Sequence, residues 1–150
     1  MSYIIVEENN FDKARKIIRE NSKKTIVFTS MDDELNRKIL EKEKVSILLI
    51  KQKGRKDRQK QRNSGLNSVM SKIAKKSKSQ IGIFLDEVIN SNEKEKADII
   101  SRIKQNIKIC SKDKLKMKFI SINNNNTRNE YDSKALGLSL GMPTWMIKDL

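Results

Sequence analysis

The sequence predicts an α/β protein whose mainly parallel sheet has about five strands alternating with helices. Short β-branched or aliphatic runs alternate along the 150 residues with segments whose apolar residues recur at helical spacing. The strongest run, VSILLI at residues 45–50, is apolar at nearly every position, as parallel strands covered on both faces are. Right-handed crossovers are expected between successive strands of such a sheet.

Five segments have the composition of strands, being short and rich in β-branched, aliphatic or aromatic residues. They are residues 3–6, 25–29, 45–50, 80–85 and 116–122, of which the last is the least regular. Gly82, inside the fourth, indicates a close approach by a neighbouring group.

The segments between these strands are predicted helices. The clearest pattern lies after residue 63, where one face of a helix carries Leu66, Val69, Met70, Ile73 and Ala74. The longest helix, residues 93–112, has a predicted apolar stripe of Ala97, Ile100, Ile103, Ile107 and Cys110. The others are residues 11–20, 31–42 with an apolar repeat beginning at Met31, a short turn at 86–90, residues 130–140, and a last turn after Pro143.

The length of the chain limits the architecture. A closed (β/α)₈ barrel typically takes ~250 residues and rarely fewer than ~200. A single domain of residues 1–150 therefore forms an open sheet, part of a barrel, or a piece completed by a partner. Because an incomplete sheet exposes an edge strand, we expect docking through that edge or the adjoining helices, either to another subunit or to a second copy in a homodimer.

Composition favours a polyanionic partner. The net charge is +14 and the pI is about 9.9, which points to nucleic acid before any membrane surface. The sequence has no histidine, which excludes His-based nucleophilic sites and His-ligated metals. It has one cysteine, Cys110, which excludes thiolate zinc sites and an internal disulfide. No apolar run approaches the ~18 residues of a membrane span. We expect a cytoplasmic protein, or a nuclear one in a eukaryote.

The charge is concentrated in residues 51–78, which hold eleven lysines and arginines against one acid, Asp57. Residues 51–62 are interpreted as an unstructured basic arm that binds phosphate, although such a run can also be a solvated loop. Arginine supplies planar forks for phosphate and lysine supplies point charge. The candidate RNA contacts in this arm are Lys51, Lys53, Arg55, Lys56, Arg58, Lys60 and Arg62.

The junction after the arm is a second candidate. Asn63 or Ser64 is predicted to cap the following helix, and a helix N-terminus beside Gly65 and Arg62 attracts anions. We therefore predict RNA contacts at Asn63, Ser64, Gly65 and Asn67. Arg102, Gln105 and Asn106, on the polar side of the long helix, are predicted either to reach RNA or to hold a loop, a plain solvated face being the alternative.

The remaining candidates have simpler interpretations. Asp32, Asp33 and Glu34 follow a strand where α/β enzymes place their sites, so a Mg²⁺ site is conceivable, but acids in a first helical turn more often interact with the helix dipole. Asp86 and Glu87 occupy the same position after the fourth strand. Cys110 is assigned to the core. Tyr131 and Trp145 are candidate interface anchors, and there is no aromatic array for base stacking.

Several ordered segments resemble a known family. RNSGLNSVMSKIAKKSKSQIGIFLDEVINS is similar to the component 3 family of ribonuclease P proteins, in which an acidic residue, Ser-Gly, an aliphatic and Asn-His-Val precede a helix and an Ile-Gly strand. The matching residues are Ser64, Gly65, Leu66, Asn67 and Val69. Asn36-Arg37, RIKQNIKICSKDKLKMKFIS and ALGLSLGM match further family segments in the same order, over residues 27–142. Asn63 and Ser68 depart from the family, which has an acid and a histidine there.

The resemblance implies a shortened, incomplete TIM-barrel-like fold that lacks the N-terminal barrel units. It implies a non-catalytic, RNA-binding subunit of ribonuclease P, which supports the catalytic RNA in removing the 5′ leader of tRNA. The implied partners are ribonuclease P RNA, pre-tRNA, the small ferredoxin-like component 2 and other ribonuclease P proteins. No cofactor is expected on this chain, and Mg²⁺ is expected on the RNA subunit.

Two other functions are also compatible with the sequence. One is a protein-only, metal-dependent nuclease that uses Asp32, Asp33 and Asp86. The other is a general basic protein that binds nucleic acid without any role in tRNA processing. Cleavage by the purified chain distinguishes the first, and reconstitution with a ribonuclease P RNA distinguishes the second.

Overall fold

The computed structural model describes residues 3–150 and is built from strands β1–β5 and helices α1–α7. In chain order the elements are β1 Ile4–Glu7, α1 Phe11–Glu20, β2 Ile26–Thr29, α2 Asp33–Lys42, β3 Ile47–Ile50, α3 Ser68–Lys76, β4 Gln80–Phe84, α4 Leu85–Asn90, α5 Glu93–Lys112, β5 Met117–Ile120, a 3₁₀ turn at Asn124–Asn126, α6 Glu130–Ser139 and α7 Thr144–Ile147.

The five strands form one parallel sheet in the order of the sequence, β1-β2-β3-β4-β5. One row across the sheet pairs Val6, Phe28, Leu48, Ile81 and Met117. Because the strand order follows the sequence without a reversal, crossovers of one hand place the connecting helices on a single face. The predicted fold class, an open parallel α/β sheet of the incomplete barrel type, is confirmed.

The two faces of the sheet differ in what covers them. The side chains of one face, such as Phe28 and Leu48, belong to a large apolar cluster with residues from the helices. The other face carries a small cluster built only from strand residues and the adjoining Tyr3, including Val27 and Leu49. Gly82 lies on this second face, where a Cβ would meet Ile47 at 2.9 Å, so the close approach predicted at Gly82 is confirmed.

Both edge strands pair on one side only within residues 3–150, β1 with β2 and β5 with β4. The sheet is thus open. Because the five strands are parallel, their carboxyl ends lie together at one end of the sheet, where loops carrying polar and charged residues converge. Among the described helices none is long and apolar enough to cross a membrane.

Three predicted apolar positions are wrong. Val69 and Met31 are each 49% exposed, and Ala97 is exposed, so none belongs to the core. In α5 the buried stripe instead includes Ile99, Arg102 and Asn106 beside the predicted Ile103, Ile107 and Cys110. The stripe is displaced because Arg102 and Asn106 bond to the loop that follows β3.

Candidate nucleic-acid interface

The segment between β3 and α3, residues 51–67, is called the basic loop below. It contains seven lysines and arginines and the single acid Asp57. Apart from one isolated bridge between Arg58 and Gln61, it has no regular strand or helix. The prediction of an unstructured basic arm is nevertheless wrong, because the loop is held in place by the rest of the chain. Gln52, Arg55 and Ser64 are each at most 9% exposed and form hydrogen bonds within the chain.

Arg55 turns inward and fastens the loop to α2. Its Nη1 and Nη2 donate to the two carboxylate oxygens of Asp33 at 2.9 Å each, and its Nε donates to the carbonyl of Lys51 at 2.7 Å. Only 3% of the Arg55 side chain is exposed. A two-pronged bond between a buried guanidinium and a carboxylate is strong and directional, so it fixes the loop's position.

Arg102 fastens the same loop from α5. Its Nε donates to Asp57 Oδ1 at 3.0 Å, its Nη1 to the carbonyl of Gln52 at 3.2 Å and its Nη2 to the carbonyl of Arg55 at 2.8 Å. The bond from Arg102, together with the backbone N–H of Asn63, holds the pKa of Asp57 below its usual value. Two buried arginines thus organise a loop whose other cations, except the partly buried Lys51, face outward.

Glu87 and Asn106 secure the two ends of the loop. The Glu87 carboxylate accepts the backbone N–H groups of Gln52 and Lys53 at 2.8 and 3.2 Å. Burial raises the pKa of Glu87, against the opposing effect of these two bonds. At the other end, Asn106 Nδ2 donates to the carbonyl of Ser64 at 3.0 Å.

Gly65 is required where the loop passes beneath Arg55. Its φ of +78° lies in the left-handed region that favours glycine. A Cβ there would lie 2.5 Å from Arg55 Nη2 and 2.7 Å from Ile50 Cγ2. The Ser-Gly pair therefore turns the chain against the guanidinium that holds the loop.

The helix after the loop begins later than predicted. Asn67 is the N-cap of α3, and its Oδ1 accepts the backbone N–H of Met70 at 2.9 Å. The predicted caps Asn63 and Ser64 are wrong because the turn at Gly65 separates both from the helix. Asn63 instead accepts from Arg55 Nη1 at 3.4 Å, and Gln105 donates to Ser64 Oγ at 3.1 Å.

An open cleft of about 240 Å³ lies where the basic loop meets α2, the start of α3 and α5. Arg37, Arg58 and Arg62 border it, and so does Asn67 at the N-terminus of α3. Asp33 and Glu34 also line it, but Asp33 is bound to Arg55. Three arginines beside a helix N-terminus form an arrangement that favours a phosphate group.

The structure divides the predicted RNA contacts into three groups. Exposed at the surface are Lys53, Lys56, Arg58, Lys60, Arg62 and Asn67. Partly buried are Lys51, Asn63 and Gln105, of which Lys51 pairs with Glu7 at 3.2 Å. Buried and bonded within the chain are Arg55, Ser64, Gly65, Arg102 and Asn106, and in this conformation they brace the loop and do not face outward.

The acids proposed for a nuclease have structural partners. Asp32 caps α2, accepting the backbone N–H groups of Glu34 and Leu35, and Asp33 binds Arg55. Asp86 bonds to the loop after β5. No group of three or more His, Cys, Asp or Glu side chains placed to hold a metal ion occurs in residues 3–150.

Asp86 fastens a second loop, the one that follows β5. Its carboxylate accepts the Ser121 hydroxyl at 2.8 Å, the backbone N–H groups of Ile122 and Asn123 at 3.1 and 3.0 Å, and Asn126 Nδ2 at 3.1 Å. Burial alone would raise the pKa of Asp86, but these bonds outweigh it and hold the pKa below the usual value.

Cys110, Tyr131 and Trp145 differ in how far they are exposed. Cys110 is fully buried as predicted, and burial, with the nearby charge of Asp113, raises its pKa to about 12. Tyr131 is 86% exposed, which leaves it available as an interface anchor. Trp145 is partly buried against the core, with Lys114 Nζ 5.9 Å from its ring centre, so it contributes to internal packing.

Sequence reasoning missed Arg37, which borders the cleft, and the bracing roles of Asp33, Asp57 and Glu87. The isolated acid in the basic run, Asp57, was the available signal, since a single carboxylate among seven cations has a ready partner. Its partner, Arg102, lies 45 residues away and no local pattern identifies it.

The similarity of the chain to known proteins lies in its fold. No protein-family model matches the chain, and no curated protein is similar to it. In fold it is similar to a chain of the cryo-EM structure of archaeal ribonuclease P with mature tRNA, with a TM-score of 0.80 and 22% sequence identity. The match covers 96% of this chain and 62% of that chain, so the protein spans less than two thirds of its structural neighbour. At this identity the likeness establishes the fold.

Proposed function

We propose that the chain is a non-catalytic, RNA-binding protein subunit of ribonuclease P that supports the catalytic RNA in tRNA 5′-leader removal. The observation that carries the proposal is the outward row of cations on a braced loop. Lys56, Arg58, Lys60 and Arg62 point to solvent there, beside a cleft that also presents Arg37. Clustered cations on a fixed frame attract the phosphates of a structured RNA and release its counterions.

The fold likeness to a chain of archaeal ribonuclease P supports this choice among RNA-binding functions. So do the segments, Ser64-Gly65-Leu66-Asn67 above all, that resemble component 3 of that enzyme. On this proposal the partners are ribonuclease P RNA, pre-tRNA and the other protein subunits, including the small component 2. The protein works in the cytoplasm, or in the nucleus of a eukaryote.

The placement of acids argues against a protein-only nuclease. Metal-assisted hydrolysis needs carboxylates free to hold a cation and a water. Asp32, Asp33 and Asp86 instead accept hydrogen bonds from backbone or side chains of this chain. We therefore propose that the chain binds no metal cofactor and that Mg²⁺ acts on the RNA subunit.

Reconstitution tests the proposal. Ribonuclease P RNA is assayed for pre-tRNA cleavage at low Mg²⁺ with component 2, with and without this chain. We expect the chain to raise cleavage, and the variant in which Arg58, Lys60 and Arg62 are glutamine to raise it less. Cleavage by the purified chain without RNA, abolished by Asp33→Ala, would support the nuclease instead. Binding to RNA without any stimulation would leave a general nucleic-acid-binding protein.

A further inference from the structure

Arg55 of the basic loop and Arg102 of α5 both point inward. Each binds a carboxylate that lies beside the proposed RNA-binding surface. Acids near a phosphate site normally weaken binding, because like charges repel. Asp33 and Asp57 both lie next to the exposed cations, yet each is bonded to a buried guanidinium. Their positions are unfavourable for RNA unless they contribute something that outweighs the repulsion.

We propose that Asp33 and Asp57 are positioning residues for RNA binding, which hold the basic loop in the shape that presents its cations, through Arg55 and Arg102 respectively. The inference rests on the proposed RNA-binding function of this loop. It assigns to two acids a positive role in binding a polyanion, and to two arginines a role that involves no contact with RNA.

The geometry gives each acid a defined part. Asp33 receives both terminal nitrogens of Arg55 at 2.9 Å, and the Nε of Arg55 binds the carbonyl at the start of the loop. Asp57 Oδ1 receives Arg102 Nε at 3.0 Å and the backbone N–H of Asn63 at 2.8 Å. The second pair of bonds ties residues 57 and 63 together, so the four exposed cations between or beside them protrude as a compact turn.

The energetic advantage of such bracing is a smaller ordering cost on binding. A seventeen-residue loop without regular structure loses backbone and side-chain freedom when RNA fixes it, whereas a loop that is already fixed loses little. Bracing therefore raises affinity without adding any phosphate contact. Its loss lowers affinity at every salt concentration and leaves the dependence of affinity on salt unchanged.

The variants Asp33→Asn and Glu34→Gln test the inference, because it predicts that they change RNA affinity in opposite directions. Both variants remove one negative charge from the wall of the same cleft. Asp33→Asn places an NH₂ group against a donor nitrogen of Arg55 and breaks the two-pronged bond, whereas Glu34 takes no part in holding Arg55. Electrostatics alone predicts tighter RNA binding for both.

The measurements are RNA affinity across a salt series and amide hydrogen exchange of the free proteins, with circular dichroism as a check on folding. We expect Asp33→Asn to bind roughly tenfold more weakly, the effect of losing one charge-assisted bond, with an unchanged salt slope. Glu34→Gln should bind about twofold more tightly. Exchange at the amides of Gln52, Lys53 and Asn63 should rise in Asp33→Asn only, and Asp33→Glu should restore part of the binding.

Equal or tighter binding by Asp33→Asn overturns the inference while the proposed function stands, since freed Arg55 would then act as one more contact. A wild-type chain without salt-dependent RNA binding overturns the proposed function, and the inference with it. A reduced salt slope in Asp33→Asn also overturns the inference, because it would mean that phosphate contacts themselves had been lost.

Discussion

The basic loop, residues 51–67, and the asparagine-rich loop, residues 121–129, flank β4 at the same edge of the sheet. Two adjacent acids at the start of α4 each bind one of these loops. Glu87 accepts hydrogen bonds from the basic loop, and Asp86 accepts them from the asparagine-rich loop. The first carries seven lysines and arginines and the second carries only Arg128. The fastening is thus similar in kind on both sides, while the charge presented to a partner is entirely different.

The two loops show that the order of a loop and its ability to bind a polyanion are separate properties, which the sequence alone does not distinguish. A loop is ordered by what its backbone and its inward side chains bond to, and it recognises a polyanion by the charges it leaves outside. The asparagine-rich loop has the first property without the cations, and the basic loop has both. Substitutions that affect one loop at a time can therefore distinguish order from recognition.

The largest effect is expected for Arg102→Met. It leaves Asp57 and two loop carbonyls without their shared donor, so we expect a loss of roughly 3 kcal/mol in the free energy of unfolding. Urea denaturation measures the loss, and amide exchange should locate it in the basic loop and not in residues 121–129. Lys104→Met, two residues away on the exposed side of α5, is the control and should change stability by less than about 0.5 kcal/mol.

Gly65→Ala should follow, with a loss of about 2 kcal/mol from strained φ and from the clash with Arg55 and Ile50. Gly54→Ala is a matched control in the same loop, since Gly54 also has a positive φ, +81°, but nothing lies within 4 Å of an added Cβ. It should lose only about 1 kcal/mol. Equal losses in thermal denaturation would mean that the close packing beneath Arg55 contributes nothing.

Asp86→Asn addresses the other loop and should cost about 1–2 kcal/mol at neutral pH, with exchange rising in residues 121–129 alone. Because the folded-state pKa of Asp86 lies below the usual value near 3.8, its ionised form stabilises the fold above that pH. This stabilisation is lost as pH falls through the lowered pKa. Stability of the variant should therefore decline less steeply in acid, and a decline as steep as in Asp98→Asn, an exposed control, would contradict the assignment.

The smallest effect is expected for Asn67→Ala, which removes the N-cap of α3 at a cost of about 1 kcal/mol. Asn63→Ala, which changes one of the two caps predicted from the sequence, should lose less because its side chain makes one long bond to Arg55. Chemical denaturation of the two variants side by side decides between the caps, and a larger loss for Asn63→Ala would favour the sequence-based choice.

The fold was predictable because its signals are local. The apolar run ending in Ile47–Ile50 and the helical spacing in Glu93–Lys112 each report on their own element. The braced loop was not predictable, since Arg55 and Arg102 reach partners 22 and 45 residues away. A basic run has the same composition whether its arginines face solvent or the interior. The position of the α3 cap was missed for a similar reason, because contacts of Ser64 with α5 decide where the turn lies.

The salt dependence of RNA binding tests most directly whether the basic loop is the RNA-binding surface. If ~6 phosphates are neutralised, the slope of log affinity against log salt should be about −4 by the single-strand coefficient. Replacing Arg58, Lys60 and Arg62 with glutamine should reduce its magnitude by about 2. Replacing Lys13, Lys16 and Lys23, three exposed lysines in or just after α1, should leave it unchanged although the net charge falls equally. The opposite pattern, an unchanged slope for the loop variant and a reduced one for the control, would place the RNA elsewhere.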